Sequence, residues 1–240
     1  YNLNDDIAPT VADTLIDAHQ IYGRDDCLRA LRKLGDFLIL AQLPEPQPAW
    51  AQQYNYQMQP IWARKFEPPA IASRESEGVV AALLKIAVYC RDAKYLKPVA
   101  KALDYLEGSA LSDGRLARYY ELRTNRPLYM ERQGSRYDLT HDDSRTPSHY
   151  GWKFDSRVGN LRAAYGAVTG RKDLPDPIFA SKGAPGSVED IVADLDSKGR
   201  WVSTYDGGRM VGSPKLSRGE KYISSATFAG NLKALAKAVR

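Results

Sequence analysis

Two stretches of this chain repeat one another, and that constrains its fold more than any other feature. Tyr22, Arg24 and Asp25 match Tyr89, Arg91 and Asp92 at an offset of 67. After a one-residue slip, Leu28, Lys33, Asp36, Phe37 and Leu38 match Leu96, Lys101, Asp104, Tyr105 and Leu106 at an offset of 68. Both stretches carry the helical period. Val11, Leu15, Ala18 and Tyr22, then Leu28, Leu31, Leu34 and Leu38, predict two helices between Asp6 and Leu43, broken at Gly23 to Asp26. Val79, Leu83, Ile86 and Ala87, then Val99, Ala102, Leu103 and Leu106, predict a second pair around a short turn. A repeating αα unit cannot bury its apolar face alone and must stack on copies of itself, as a solenoid or a closed toroid. Two units are fewer than such arrays need, and the chain opens at Tyr1 without a methionine or an apolar signal core, so a missing N-terminal segment or companion chain is expected.

Between the repeats runs a segment from Gln42 to Arg74, rich in Pro, Gln and aromatic residues. A loop that long inside a domain points to function, and Trp50, Tyr54, Tyr56, Trp62 and Phe66 argue against disorder. Beyond Leu111, Arg115 to Arg123, Pro127 to Met130 and Ser135 to Leu139 are short, Tyr-rich and bounded by turn residues, as strands or extended arms are. A helix over Ser156 to Thr169 and a Gly/Pro-rich linker over Gly170 to Gly186 follow. The tail reads as a short helix (Ser187 to Asp196), a strand pair turning at Asp206-Gly207-Gly208, and a last helix from Ser224 to Val239. The expected division is therefore a helical-repeat region over 1–170 and a small α+β extension over 171–240.

Lys and Arg exceed Asp and Glu by 34 to 29, a net charge of +5 that favours an anionic partner. No apolar run is long enough to span a membrane. Gly-rich phosphate loops and an RNA-binding aromatic signature are absent, which argues against nucleotide and nucleic-acid ligands. The two cysteines, Cys27 and Cys90, form no CxxC or Cys/His cluster and read as buried thiols. His19, His141 and His149 lie too far apart for a metal triad.

Three groups of residues carry candidate chemistry. Asn4-Asp5-Asp6 stands at the start of the first helix, where such residues cap free N–H groups or hold a hard cation; capping is the simpler reading. The loop's Trp50, Gln53 and Tyr54 suit a sugar cleft, or pin the loop to the helices, while Arg64, taken by itself, reads as the ion-pair partner of Glu67 or Glu75. A run of arginines on the extended segments, including Arg118, Arg126 and Arg132 among tyrosines, suits bidentate binding of carboxylates, or else is a solvated basic face.

Taken together, Trp50-Ala51-Gln52-Gln53-Tyr54, Ala63-Arg64-Lys65-Phe66-Glu67, Glu75-Ser76 and the arm from Ala117 to Pro127, with its Thr124-Asn125-Arg126-Pro127, resemble polysaccharide lyase family 10, the pectic acid lyases. The order and spacing of these segments agree from about Asn4 to Trp152; the tail from Gly170 has no counterpart. The resemblance implies a mainly α fold, an incomplete α/α toroid of helical hairpins with short extended arms. It implies calcium-assisted β-elimination on polygalacturonate, with Arg64 as the base in place of its structural reading. It places Arg118, Arg126, Arg132, Trp50, Gln53 and Tyr54 on the substrate and Asp5 and Asp6 on Ca2+, and it implies a secreted or periplasmic protein. Asn55 stands where relatives carry Asp, and the family's other acidic segment lies upstream of the position matching Asn4. The alternative is a non-catalytic remnant that binds acidic polysaccharide through the arginines without the full metal site.

Overall fold

In a computed structural model the described residues are 1–134, 136–170, 187–207 and 216–238. They fall into two compact units, Tyr1–Ile178 and Phe179–Arg240. The linker expected after Gly170 lies outside the described residues, as do Ser135 and Gly208.

The first unit opens with the expected hairpin, α1 (Ile7–Tyr22) and α2 (Asp25–Leu40). Gly23 closes α1 in the left-handed conformation, with φ 63°, that glycine adopts without a Cβ penalty. The buried face of α1 is Ala8 and Ala12, whereas Val11 and Tyr22, expected inside, are exposed. In α2 the stripe is Leu31, Gly35 and Leu38, as its period dictates. The second repeat forms α3 (Ser73–Cys90), a 3-10 turn (Ala93–Leu96) and α4 (Val99–Gly108). Pro98 separates the last two because proline cannot donate inside a helix.

The two hairpins do not form the expected incomplete toroid among the described residues. α3 is buried along most of its length, and packs against α1, α2, α4 and α5 (Val158–Gly170). It is a central helix with others around it, not one member of a repeating series. Beside it lies an antiparallel sheet of β1 (Ile71–Ala72), β3 (Tyr119–Tyr120), β4 (Pro127–Gln133) and β5 (Arg136–Thr140), in the order β1-β3-β4-β5. β2 (Leu116–Ala117) pairs with β6 (Lys153–Phe154). The extended arms are thus an integral sheet, and the unit is a mixed α and β fold. Its sheet starts at the residue before α3, so one chain segment places both the sheet edge and the central helix.

The arm between β3 and β4 is fastened by amides. Asn125, at φ 58°, accepts from Gln47 Nε2 at 3.2 Å and from the Tyr105 hydroxyl, and donates to Ser109 Oγ at 2.9 Å. Gln47 Oε1 accepts from the Arg123 N–H at 2.6 Å. The Asn of the Thr-Asn-Arg-Pro segment therefore holds the arm on α4.

The second unit contains α6 (Val188–Ala193), β7 (Ser203–Thr204), β8 (Lys221–Tyr222) and α7 (Ser225–Ala238). Ser187 and Asp190 form a capping box at the start of α6. Trp201 donates to the Ile191 carbonyl at 2.7 Å and packs on Phe228 at 5.8 Å. β7 and β8 pair, but they are separated by far more chain than the tight turn expected at Asp206-Gly207-Gly208. No helix among the described residues is long and apolar enough to cross a membrane. Cys27 and Cys90 are free thiols, Cys90 buried.

A Cβ built on Gly35 of α2 would lie 2.4 Å from Tyr95 Cε1. Tyr95 is fully buried and donates to the Arg32 carbonyl at 3.2 Å, so it has little freedom to yield. Gly35→Ala is expected to destabilise the fold by about 1–3 kcal/mol through overpacking. Chemical denaturation would measure it, and an unchanged midpoint would show that the two hairpins are not wedged together at this point.

Candidate functional site

The turn before α1 and the loop between α2 and α3 enclose a cavity of about 450 Å3 lined by Asn4, Asp5, Gln53, Tyr54, Arg64 and Glu67 among others. The first residues run antiparallel to the loop: Leu3 N–H donates to the Gln52 carbonyl at 2.8 Å and Tyr54 N–H to the Tyr1 carbonyl at 2.9 Å. Asp5 and Asp6 both sit at positive φ, 56° and 57°. Such backbone costs energy in non-glycine residues and concentrates at functional sites.

Arg64 reaches across the cavity. Its Nε donates to Glu67 Oε1 at 2.6 Å, and its Nη2 contacts the same oxygen and lies 3.6 Å from Asp5 Oδ2. The Glu67 side chain is 3% exposed and that of Arg64 is 63% exposed, so a buried carboxylate anchors an accessible guanidinium. The hydrogen bond to Glu67 and the nearby charges of Glu67 and Asp5 raise the Arg64 pKa above its already high ordinary value. Among the partners open from sequence, the structure selects Glu67.

A second guanidinium–carboxylate unit lies deeper. Arg118, between β2 and β3, places Nη2 3.7 Å from Glu75 Oε1 and stacks its guanidinium 4.8 Å from the Tyr150 ring centroid. Gln52 joins the two units. Its Nε2 donates to Asn4 Oδ1 at 2.6 Å and to Glu75 Oε1 at 3.1 Å, and its Oε1 accepts from the Tyr119 hydroxyl at 2.8 Å. Asn4 Nδ2 in turn donates to Glu67 Oε1 at 3.3 Å. A buried polar chain therefore runs from Arg118 through Glu75, Gln52, Asn4 and Glu67 to Arg64. The Tyr150 hydroxyl lies 3.0 Å from that of Tyr119, beneath the Arg118 guanidinium.

The other expected site residues divide. Gln53 and Tyr54 line the cavity, although both are buried: Gln53 Nε2 donates to the carbonyls of Ile61 and Glu67, and the Tyr54 hydroxyl accepts from the Ala51 N–H. Trp50 is fully buried, with its indole N–H on the Leu38 carbonyl at 2.8 Å, so it pins the loop and offers no face to a sugar. Arg126 is exposed, and no side-chain contact joins it to the cavity among the described residues. Arg132 is also exposed and lies over Tyr137 at 5.9 Å. Glu67 and Glu75 were open from sequence as partners of Arg64 and Asn4 as part of a capping or cation group, whereas Gln52 belonged to a recognised segment with no role of its own. For Tyr150 there was no signal.

The Asp5 and Asp6 pair is split. Asp5 faces Arg64, and Asp6 Oδ2 lies 3.5 Å from Arg74 Nη2. Neither capping nor a shared cation describes them: α1 has no side-chain cap bond at Asp6, and among the described residues no group of three or more His, Cys, Asp or Glu is placed to hold a metal. Ca2+ takes roughly six to eight oxygen ligands. With Asn4 Oδ1 already accepting from Gln52 and each aspartate beside an arginine, these residues do not fit the cation.

No protein-family profile matches the chain, and no curated protein matches it in sequence. Among solved structures, a mutant of a family 10 polysaccharide lyase from Cellvibrio cellulosa, in complex with trigalacturonic acid, is similar, with a TM-score of 0.56 and 20% identity. The match covers 71% of this chain and 63% of that one, so the chain spans less than two thirds of the lyase's length. The likeness is one of fold, at a distance.

Glu75 generates a pH signature. Burial raises its carboxyl pKa, opposed by Arg118, the Gln52 amide, Arg74 and its own place in the first turn of α3. The folded chain then holds this proton more tightly than the unfolded chain, whose value is about 4.3. The stabilisation is complete in acid and is lost as pH rises through the folded-state value. Thermal melts of wild type and Glu75→Gln at about pH 5 and about pH 8 should show wild type losing ground to the variant at the higher pH. The opposite trend would mean that Arg118 dictates an ionised Glu75.

Proposed function

We propose that this chain is part of a lyase that cleaves acidic polysaccharide of the polygalacturonate type by β-elimination, and that the cavity at Arg64 is where it acts. The observation that carries the reading is the pair of guanidinium–carboxylate units, Arg64–Glu67 and Arg118–Glu75, joined through the buried amides of Gln52 and Asn4. A fold distantly similar to a lyase crystallised with trigalacturonic acid supports the ligand class. An exposed polymer of this kind also goes with a secreted or periplasmic location.

The chemistry follows from charge. The C5 proton of a uronate is α to its carboxylate, and neutralising that carboxylate makes the proton more acidic. Arg118, buried and planar, suits this task because a guanidinium fork matches a carboxylate bidentately. Arg64, at the accessible mouth, takes the C5 proton; the electron pair forms the C4–C5 double bond, the C4–O bond breaks, and the leaving oxygen acquires a proton from solvent. Arg64 must be neutral to do this, yet Glu67 and Asp5 hold it protonated in the free chain. Turnover then runs on a small deprotonated fraction, and its rate should climb by about tenfold per pH unit through the alkaline range.

The same ion pairing favours a second reading, in which a permanently charged Arg64 binds the polymer without cutting it. Incubation with polygalacturonate, with and without calcium, separates the two through the ultraviolet absorbance of the unsaturated product. Absorbance that rises with wild type and vanishes with Arg64→Ala, while affinity stays within about twofold, is the outcome expected for the lyase. Unchanged turnover in Arg64→Ala would end the base assignment, and retained binding with no absorbance in wild type would leave the binding reading. Arg118→Ala should lose affinity in either case.

A further inference from the structure

We infer that Glu75 is a positioning residue for the Arg118 subsite: a ligand carboxylate that settles on Arg118 draws its charge away from Glu75, and Glu75 answers by taking a proton from solvent. The inference rests on the ligand class proposed above and adds a proton to its binding.

Three glutamates are buried around the cleft and the start of α3, and they are held differently. Glu67 uses both oxygens: Oε1 accepts from Arg64 Nε at 2.6 Å and Oε2 from the Arg64 N–H at 3.1 Å. Glu77 does the same with Arg157, whose N–H donates to Oε1 at 2.6 Å and whose Nε donates to Oε2 at 3.1 Å. Glu75 lies between them in sequence and has neither bond. Its Oε1 accepts from the Gln52 amide at 3.1 Å, its Oε2 is buried without a partner, and Arg118 Nη2 stays 3.7 Å away. A buried carboxylate so poorly hydrogen-bonded depends on a neighbouring charge to stay ionised. Burial pushes the Glu75 carboxyl up, and the charge of Arg118 is the strongest influence against it.

Arg118 is placed to change partners. Its side chain is 14% exposed, so a ligand reaches one edge of it. Its Nε donates to the Tyr119 hydroxyl at 3.4 Å and its plane lies over Tyr150, while among the described residues neither terminal nitrogen has an acceptor at hydrogen-bond distance. A ligand carboxylate on those nitrogens sits closer to the guanidinium than Glu75 does. Two carboxylates then share one cation, and the buried one is the costlier to keep ionised. The other groups around Glu75 do not replace the charge. Arg74, on the same helix, is shared with Asp6; Tyr119 and Tyr150 present hydroxyls that burial keeps neutral; and Glu67 lies two amides away through Gln52 and Asn4. The proton goes to Oε2, the oxygen that has no bond to lose. Affinity for the acidic chain therefore grows toward acid, whereas the base step at Arg64 gains with alkali.

Titration calorimetry of wild type with trigalacturonate, in buffers of different ionisation enthalpy from about pH 5 to about pH 9, counts the protons taken up. Uptake should approach about one proton per ligand at its maximum, and there the affinity should fall by up to about tenfold per pH unit. Difference infrared spectra of wild type should gain the C=O band of a protonated carboxyl on binding. Uptake by His149, which packs on Phe66, would give no such band. Glu75→Gln, which keeps an acceptor for Gln52, should take up no proton and hold the trisaccharide more tightly than wild type above about pH 8. Binding by wild type with a flat pH profile and no uptake would overturn the inference, as would uptake without the carboxyl band or uptake that persists in Glu75→Gln. If wild type binds no trigalacturonate at any pH, the ligand class fails and this inference falls with it, a result distinct from binding without a proton.

Discussion

The side-chain amide of Gln52 holds the cleft in register. It has one carbonyl oxygen and one NH2, and it spends them on Tyr119, Asn4 and Glu75 at once. Those partners sit on the sheet, the entry to α1 and the start of α3, so a single buried group fixes the spacing of three elements. In a low-dielectric interior such bonds strengthen one another, and a half-satisfied network is costly. The unpartnered Oε2 of Glu75 marks the one place in the described structure where this network is incomplete. It lies beside Arg118, whose guanidinium is held by stacking on Tyr150 and not by a close hydrogen bond to Glu75.

Around this network the molecule keeps its charges at two depths. Glu67 and Glu75 are buried, while the Arg64 side chain is mostly exposed. Burying a carboxylate is expensive unless a cation and hydrogen bonds compensate it, and one that is compensated from the cleft side presents a cation to whatever enters. An aromatic cluster of Phe66, Tyr137, Tyr150 and Trp152 lies beside these groups, with the Arg118 guanidinium over the Tyr150 ring.

Much of the local structure was legible in the residues. The periods of α1 and α2, the break at Gly23, the helix from Ser73 to Cys90 and the ion pair of Arg64 with one of two nearby glutamates all follow from short-range pattern. The buried face of α1 was not, because its apolar residues lie nearly all round and only packing on α2 and α3 decides that Ala8 and Ala12 face inward. Trp50 reads equally as a sugar platform or an anchor, and burial made it an anchor. The repeat predicted stacked hairpins, but most of α3 is buried, including its long apolar run Val79–Leu84, and neighbours gather round it.

The sequence alone determined which segments are helices, where the turns break them, and that a set of arginines lies on the loop and arms, because these depend on residue type and spacing along the chain. Tertiary structure alone decided which of those arginines share a site. Arg64 and Arg118 are far apart in sequence and are joined through Glu67, Asn4, Gln52 and Glu75, whereas Arg126, on the same arm as Arg118, is exposed and has no place in that network among the described residues. The physical reason is that a buried polar group must find partners from whichever elements pack around it, and nothing in local sequence specifies which elements those will be.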